Sequence, residues 1–317
     1  MIKIGKEVLR VRRSLCCGDY TAEIDLDHGA NCVSLRHKKY GARILREPPA
    51  PWEALDNPYL YGMPLLFPVN RIAGGRFTFE GREYVFPVNE PKTGCHLHGT
   101  LHATPFAEVE HSDRHTVCVF RAKAGEYLGF PHAFEVRVTY ALGEDGLSVK
   151  TAVTNFSHGN MPVFLGFHTT FCTLFAKDSR PEDVCALVDV ATEYERNMEN
   201  YLPTGEKPPL DEVSLALTQG TFLPMSAPIS RHYRAGGDYR MRLADRRLGL
   251  AVVYENTENL PFRLIYGGGD KGYICMEPQT CLANCQNAPI PRDEGGFAFI
   301  ESGASQEYYS KIYVEEI

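Results

Sequence analysis

The sequence predicts an all-β protein built as one large antiparallel sandwich. Short segments of alternating apolar and polar residues recur along the chain, and helical periodicity is nearly absent. The 21 prolines and 28 glycines are spread over many turns instead of forming one linker. No internal repeat or low-complexity tract divides the 317 residues, so we expect a single domain over residues 1–317.

Two hairpins are the clearest elements. Arg76–Phe79 and Tyr84–Phe86 flank a turn at 80–83, and Phe134–Tyr140 turns at 144–146 and returns through Leu147–Val153. Further strands are expected at Val117–Ala122, Tyr239–Leu243, Leu248–Tyr254, Phe262–Tyr266 and Ile312–Val314. Helix is expected only as one or two turns within Pro181–Val190 and a short turn within Ala50–Leu55.

Composition excludes several classes of function. Hydrophobic residues make up 44% and charged residues 23%, the balance of a folded globular protein. With 33 basic and 40 acidic residues, a net charge of −7 and no basic run, the chain is not expected to bind nucleic acid. No stretch of about 18 apolar residues is present, so no membrane partner is expected. Because residues 1–7 lack the apolar core of a signal peptide, we expect a cytoplasmic protein.

The ten cysteines do not predict disulfides. They are scattered through the chain, several lie in apolar runs, and no Cys-x-x-Cys occurs, so reduced, buried thiols are expected. Cys95, His96 and His98 form one possible group of zinc ligands, and Cys281 with Cys285 another. Neither group has a second half at zinc-finger spacing, so we expect neither a metal nor a cofactor.

Polar side chains interrupt apolar strands at four places, of which two lie early in the chain. Asn70 and Arg71 follow an apolar run and precede a glycine pair. The Arg71 guanidinium could donate to sugar hydroxyls or a ring oxygen, or it could simply be exposed at a strand end. His96 and His98, at i and i+2, are expected to share one face of a strand beside Gly99, in either a structural or a functional role.

The other two interruptions are His168 and Glu277. His168 lies in the aromatic run 163–171, where it is either hydrogen-bonded in the core or lines a pocket. A desolvated imidazole has a lowered pKa, which suits proton transfer near neutral pH. Glu277 ends an apolar strand before Pro278, so its carboxylate either faces water or needs donors around it.

Together these segments resemble the aldose 1-epimerase (galactose mutarotase) family. The matching motifs are residues 70–77 with the Gly81 hairpin, Leu97–Gly99, the His168 strand and Glu277–Gln279. They occur in the family's order from about residue 24 to the C-terminus. The resemblance implies a galactose mutarotase-like β-supersandwich with an open sugar-binding cleft.

The resemblance also implies roles for the site residues. Glu277 would be the general base on the anomeric hydroxyl and His168 the general acid on the ring oxygen, with no metal or cofactor. The residues implied to position the sugar are Arg71, His98, Asn70 and Gln279. The implied partner is a small-molecule sugar, and the protein would be a monomer or a homodimer.

The sequence departs from the family at one sugar-binding position and leaves rivals open. The family's acidic residue after the Pro-Thr-Gly segment would fall within 229–233, which has no carboxylate, and Asp238 is nearby but offset. One rival is a mutarotase for a phosphorylated hexose, which would need a cationic clamp such as Arg231, His232 and Arg234. The other is a sugar-binding module of the same fold without catalysis.

Overall fold

The computed structural model describes residues 11–50 and 53–317, and its strands pair throughout as antiparallel sheets apart from one isolated bridge. In chain order the strands are β1 (Arg12–Cys17), β2 (Tyr20–Asp25), β3 (Asn31–His37), β4 (Ala42–Arg43), β5 (Leu65–Leu66), β6 (Arg71–Ala73), β7 (Arg76–Phe79), β8 (Arg82–Val85), β9 (Cys95–Leu97), β10 (Ala107–Ser112), β11 (His115–Ala122), β12 (Phe134–Gly143), β13 (Gly146–Asn155), β14 (Met161–Val163), β15 (Gly166–Phe167), β16 (Thr170–Cys172), β17 (Val184–Val188), β18 (Val190–Tyr194), β19 (Pro228–Ala235), β20 (Arg240–Asp245), β21 (Leu250–Asn256), β22 (Phe262–Gly268), β23 (Tyr273–Gln279), β24 (Ala298–Ile300) and β25 (Ser305–Glu316). The helices are α1 (Glu53–Asp56) and α2 (Glu212–Gln219), with short 3₁₀ turns at Leu101–Ala103 and Gly269–Lys271.

Two large sheets form the sandwich. One has eight strands in the order β10-β11-β12-β13-β25-β21-β20-β17. The other has the order β18-β19-β22-β23-β15-β5, with β16 also paired to β23. Val136 and Val149 of the first sheet and Ile265 and Ile274 of the second belong to one buried apolar cluster, so the sheets share a core. The mostly β, antiparallel architecture predicted from the sequence is confirmed.

Both predicted hairpins are present. Strands β12 and β13 pair from Phe134 opposite Asn155 to Gly143 opposite Gly146. In the other hairpin Phe79 pairs with Arg82, so the turn is only Glu80 and Gly81 and is tighter than the predicted turn at 80–83. Both turn residues have positive φ, 48° and 76°, as a two-residue hairpin turn with right-handed strand twist requires. The five further predicted strands are all found, with different ends.

The helix predictions were less accurate than the strand predictions. Helix within Pro181–Val190 is wrong: β17 pairs with β20 there, because the β-branched valines suit a buried sheet position. The Ala50–Leu55 prediction overlaps α1, although residues 51 and 52 lie outside the described residues. Helix α2 was not predicted. Its ends carry standard signals, since the Asp211 side chain accepts from Ser214 N at 3.0 Å and Gly220 ends the helix at φ 67°.

A membrane-crossing helix would need about 20 apolar residues. None of the helices in residues 11–50 and 53–317 is long and apolar enough to cross a membrane. Residues 1–7, for which no signal peptide is expected, lie outside the described residues.

Candidate active site

A cavity of about 520 Å³ opens beside β22, β23 and the short β6–β9 pair. Five of the six residues predicted for the site line it: Asn70, Arg71, His98, His168 and Glu277. They come from four separate parts of the chain. Arg71 begins β6, His98 follows β9, His168 follows β15, and Glu277 lies within β23.

His168 and Glu277 meet at the base of the cavity. The His168 Nε2 atom lies 3.2 Å from Glu277 Oε1, with 9% and 1% of the two side chains exposed. The contact lacks hydrogen-bond alignment, so Glu277 Oε1 has no hydrogen-bond partner among the described residues. An unpartnered buried oxygen beside an imidazole is available to a ligand. One interpretation of the sequence allowed Glu277 to face water, and the structure shows that it does not.

The sixth predicted residue, Gln279, does not line the cavity. It is fully buried and donates from Nε2 to Glu277 Oε2 at 3.1 Å. Its Oε1 atom accepts from Asn70 Nδ2 at 3.2 Å. Gln279 thus orients the Glu277 carboxylate from behind, and Asn70 orients Gln279.

A close approach of two loops brings Asn70 and His98 together. Phe67 and Gly99 form a parallel bridge, and a Cβ on Gly99 would lie 1.8 Å from the Phe67 carbonyl oxygen, so only glycine fits. The Asn70 backbone N–H then donates to His98 Nδ1 at 3.1 Å. Because this nitrogen accepts a hydrogen bond, the neutral His98 ring carries its proton on Nε2.

Arg71 is not an exposed strand end. Its Nε and Nη2 atoms donate to the two carboxylate oxygens of Glu90, both at 2.7 Å. Its guanidinium lies 4.6 Å from the centre of the Tyr201 ring. Burial alone would raise the pKa of Glu90, but the hydrogen bonds from Arg71 and Thr93 lower it below its usual value. Arg71 therefore presents an ordered, charge-balanced group to the cavity.

Burial dominates the pKa values of Glu277 and His168. It raises the pKa of the Glu277 carboxyl well above its usual range, against the hydrogen bond from Gln279 and the charges of Arg196 and Arg71. It lowers the pKa of His168 to about 4. Both shifts favour the neutral forms of the pair, a protonated carboxyl beside a neutral imidazole.

The model of the aldose 1-epimerase family matches residues 17–312. The chain belongs to the aldose 1-epimerase family. It is similar to the solved structure of a galactose mutarotase-like protein from Clostridium acetobutylicum, with a TM-score of 0.89, 28% identity, and coverage of 96% of this chain and 95% of the other. The galactose mutarotase-like fold implied by the sequence motifs is confirmed.

Two curated relatives in Escherichia coli K12 are uncharacterized proteins. YphB is 26% identical over 244 residues, which span 74% of this chain and 76% of the relative. YihR is 25% identical over 305 residues, which span 95% of this chain and 92% of the relative. Membership of the epimerase family is thus clear, while neither relative supplies an activity.

The cavity residues that were not predicted from the sequence include Tyr59, Arg196 and Tyr201. The Tyr59 ring lies 4.7 Å from His98 and 5.8 Å from His168, centre to centre. Arg196 forms an isolated bridge with Pro203, so the Pro-Thr-Gly motif at 203–205 marked its neighbourhood. Tyr59 lies in a segment without regular structure, where no periodicity could have indicated it.

The predicted pairing of His96 and His98 on one strand face is wrong. Strand β9 ends at Leu97, and His98 has φ 61°, so its side chain leaves the strand pattern. His96 is fully buried, with Nδ1 at 2.7 Å from Pro87 O and its ring 5.0 Å from that of Phe86. The Cys95 thiol donates to Thr93 O at 3.4 Å.

Cys95, His96 and His98 do not converge as zinc ligands in the described structure. The group of ligand atoms that does converge is His168, Cys275 and Glu277, all within 4.8 Å of one another and all buried. Two of its members are the acid–base pair, and burial keeps the pKa of Cys275 well above its usual value, so its thiol stays protonated.

The phosphate clamp proposed for the rival function does not face the cavity. Arg231 is held by Glu193 at 2.9 Å and Asp211 at 2.7 Å. His232 is fully buried, and Arg234 donates to Glu294 O at 3.4 Å. Successive side chains of β19 point to opposite faces, and within 229–233 it is Ser230 that lines the cavity. Asp238, the offset candidate for the family's acidic residue, is bonded instead to Arg240 and Arg242.

Proposed function

We propose that this protein is an aldose 1-epimerase that interconverts the α and β anomers of an aldose. The observation that carries the proposal is the buried contact of 3.2 Å between His168 Nε2 and Glu277 Oε1 in the cavity. The anomeric hydroxyl and the ring oxygen of a pyranose are both attached to C1. A base and an acid that serve these two oxygens must therefore lie side by side, as these two groups do.

The reaction needs only proton transfers. Glu277 takes the proton of the anomeric hydroxyl while His168 protonates the ring oxygen, and the bond between C1 and the ring oxygen breaks to leave the free aldehyde. Rotation about C1–C2 exposes the other face of the carbonyl. Reclosure returns the proton from Glu277 to the new hydroxyl and takes one from the ring hydroxyl to His168, so both groups are restored.

A neutral pair of Glu277 and His168 is compatible with this cycle. The reactive form, with Glu277 ionised and His168 protonated, holds the same single proton as the neutral form. Arg196 and Arg71 both favour the ionised carboxylate by their charge. Gln279 favours it by its hydrogen bond. Asn70, Arg71 and His98 would hold the sugar hydroxyls above the pair.

Anomer exchange measured by NMR on freshly dissolved and equilibrated aldoses tests the proposal. We expect the wild-type protein to speed exchange of at least one aldose far above the buffer rate, without added metal or cofactor. Dialysis against EDTA should leave the rate unchanged. A protein that binds a sugar in calorimetry yet never exceeds the buffer rate with any aldose would instead be a sugar-binding module.

A further inference from the structure

Arg196 is a buried cation that pairs with no carboxylate among the described residues. The residue is 8% exposed and lines the cavity. Its Nη2 atom donates to the Ser230 carbonyl at 2.7 Å and to Ser230 Oγ at 2.9 Å. It makes no salt bridge with any carboxylate of the described chain, whereas the neighbouring Arg71 is bound to both oxygens of Glu90. A buried guanidinium without a counter-ion is costly, so this one is prepared for a ligand.

Two donor groups of Arg196 have no hydrogen-bond partner among the described residues. Its Nε and Nη1 groups donate to no described residue. Neither group is fully buried, so both keep some accessible surface. Both therefore reach the cavity. The guanidinium lies 6.0 Å from the centre of the Tyr201 ring, whose other neighbour is Arg71 at 4.6 Å. Tyr201 thus lies between Arg71, which is paired with Glu90, and Arg196, which forms no salt bridge with a described carboxylate.

No carboxylate that lines the cavity forms a salt bridge with Arg196 in the described structure. Asp56 is exposed at the rim, where water screens it. Glu90 is taken by Arg71. Glu277 is the remaining acid, and its two oxygens lie against Gln279 and His168, with no salt bridge to Arg196 in the described structure. Burial and the charge of Arg71 lower the pKa of Arg196 to about 10, against the more distant charges of Glu277 and Glu193, so the side chain stays charged at neutral pH.

We propose that the aldose bound in this cavity carries a monoanionic group, such as the carboxylate of a hexuronate, and that Arg196 binds that group. The inference rests on the proposed mutarotase function and names its substrate class. Charge-assisted hydrogen bonds from a guanidinium to an anion are about twice as strong as bonds to neutral hydroxyls. One uncompensated cation matches one negative charge. A phosphate ester carries about −1.5 to −2 charges and would leave an excess in a buried site.

Matched pairs of sugars test the inference. Galacturonate and galactose differ at C6, as do glucuronate and glucose, so each pair compares a carboxylate with a hydroxymethyl group on the same ring. We expect the wild-type kcat/KM for anomer exchange to favour the uronate of at least one pair. In Arg196→Gln this preference should fall by roughly ten- to a hundredfold, because a bond to a charged group is lost. The ratio within a pair cancels any general effect of the substitution on Glu277.

Arg234→Gln is the matched control, since Arg234 is exposed and does not line the cavity. It should leave the preference unchanged. Equal rates within both pairs, or a preference that survives Arg196→Gln, overturns the inference while the mutarotase function stands. Faster exchange of glucose 6-phosphate than of either uronate would contradict the proposal that the substrate is a monoanion.

Failure of the function itself gives a different pattern. If the wild type exchanges none of these sugars, the proposed function fails, and calorimetry with the same pairs decides the inference. Tighter binding of a uronate than of its neutral partner, lost in Arg196→Gln, would support an anionic ligand. Equal binding within each pair would contradict it.

Discussion

The Glu277 carboxylate is held in the core by an amide and an imidazole, with two arginines acting on it only by charge. Gln279 donates to one of its oxygens and His168 lies beside the other. Burial in this environment raises the pKa of the carboxyl well above its usual range, unlike that of the ion-paired Glu90, whose pKa is lowered. For Glu277 and His168, unlike Glu90, burial outweighs the neighbouring charges in setting the pKa.

Glu277→Gln separates chemistry from binding. The amide keeps the size of the side chain and can still hold the anomeric hydroxyl, but it cannot take a proton. Positioned acid–base groups contribute about 10²–10⁴-fold, so we expect kcat to fall by that factor, or about 3–5 kcal/mol of transition-state stabilisation. Sugar affinity should change far less. NMR exchange and calorimetry on both proteins measure this, and equal losses in rate and affinity would show that Glu277 only holds the ligand.

His168→Asn should change the pH profile as well as the rate. The pH profile of the wild-type kcat/KM should be bell-shaped, because activity needs one proton on the Glu277–His168 pair. A second proton at low pH and loss of the last one at high pH both abolish activity. Without the imidazole, activity should rise as Glu277 ionises and then stay level, so the alkaline limb disappears along with most of the rate. A variant with an unchanged profile would place the acid elsewhere, with His98 the next candidate.

At the scale of the element, the site depends on loops that end short strands. Strands β6 and β9 have three residues each, and the catalytic-cavity residues lie at their ends instead of on their faces. The left-handed backbone at Asn70 and His98, φ 62° and 61°, turns both side chains out of the strand alternation. The parallel bridge between Phe67 and Gly99 holds the two ends together.

Gly99→Ala tests that bridge. At φ 61° an L-residue costs about 1–2 kcal/mol, and the added Cβ would also meet the Phe67 carbonyl oxygen at 1.8 Å, so the loss of unfolding free energy should exceed that range. Gly94→Ala is the control, because φ is 68° there and no atom lies within 4 Å of its Cβ. Urea unfolding compares the two variants. Equal losses would mean that the close approach contributes nothing to stability.

At the scale of the whole molecule, pairing between distant strands assembles the site. Gly166 of β15 pairs with both Leu66 of β5 and Gln279 of β23, so three segments far apart in sequence converge beside His168. The assembly also buries several imidazoles. Burial lowers the pKa of both His102 and His168 to about 4.

Stability should therefore fall on the acid side of neutrality. An imidazole whose pKa is about 6.5 when unfolded and about 4 when folded takes up a proton on unfolding, so stability declines as pH falls from 6.5 toward 4. Each such group contributes at most about 1.4 kcal/mol per pH unit. Glu277 acts in the opposite sense, because its raised pKa makes stability decline as pH rises, but the buried histidines outnumber it. In His102→Leu the decline of unfolding free energy should be shallower, and an identical slope would contradict a neutral, buried His102.

The sequence by itself determined the local features. Alternation and turn residues are properties of neighbouring residues, so the all-β class, both hairpins and the five further strands were predictable. An ionisable residue inside an apolar run is equally local, which is why Asn70, Arg71, His168 and Glu277 stood out before any contact was known. The helix expected within Pro181–Val190 failed because a short apolar run suits a buried strand as well as a helix, and only pairing with β20 decides between them.

Only the tertiary structure decided which of these residues meet, because pairing register and loop approach depend on the packing of the whole chain. It turned Gln279 toward Glu277 instead of the cavity, and it directed His96 into the core. It held Arg231 on the two acids Glu193 and Asp211, and it brought Arg196 to the cavity wall without a salt bridge to any described carboxylate. The charge of a side chain can be known from its letter, but whether that charge is compensated depends on neighbours distant in the sequence.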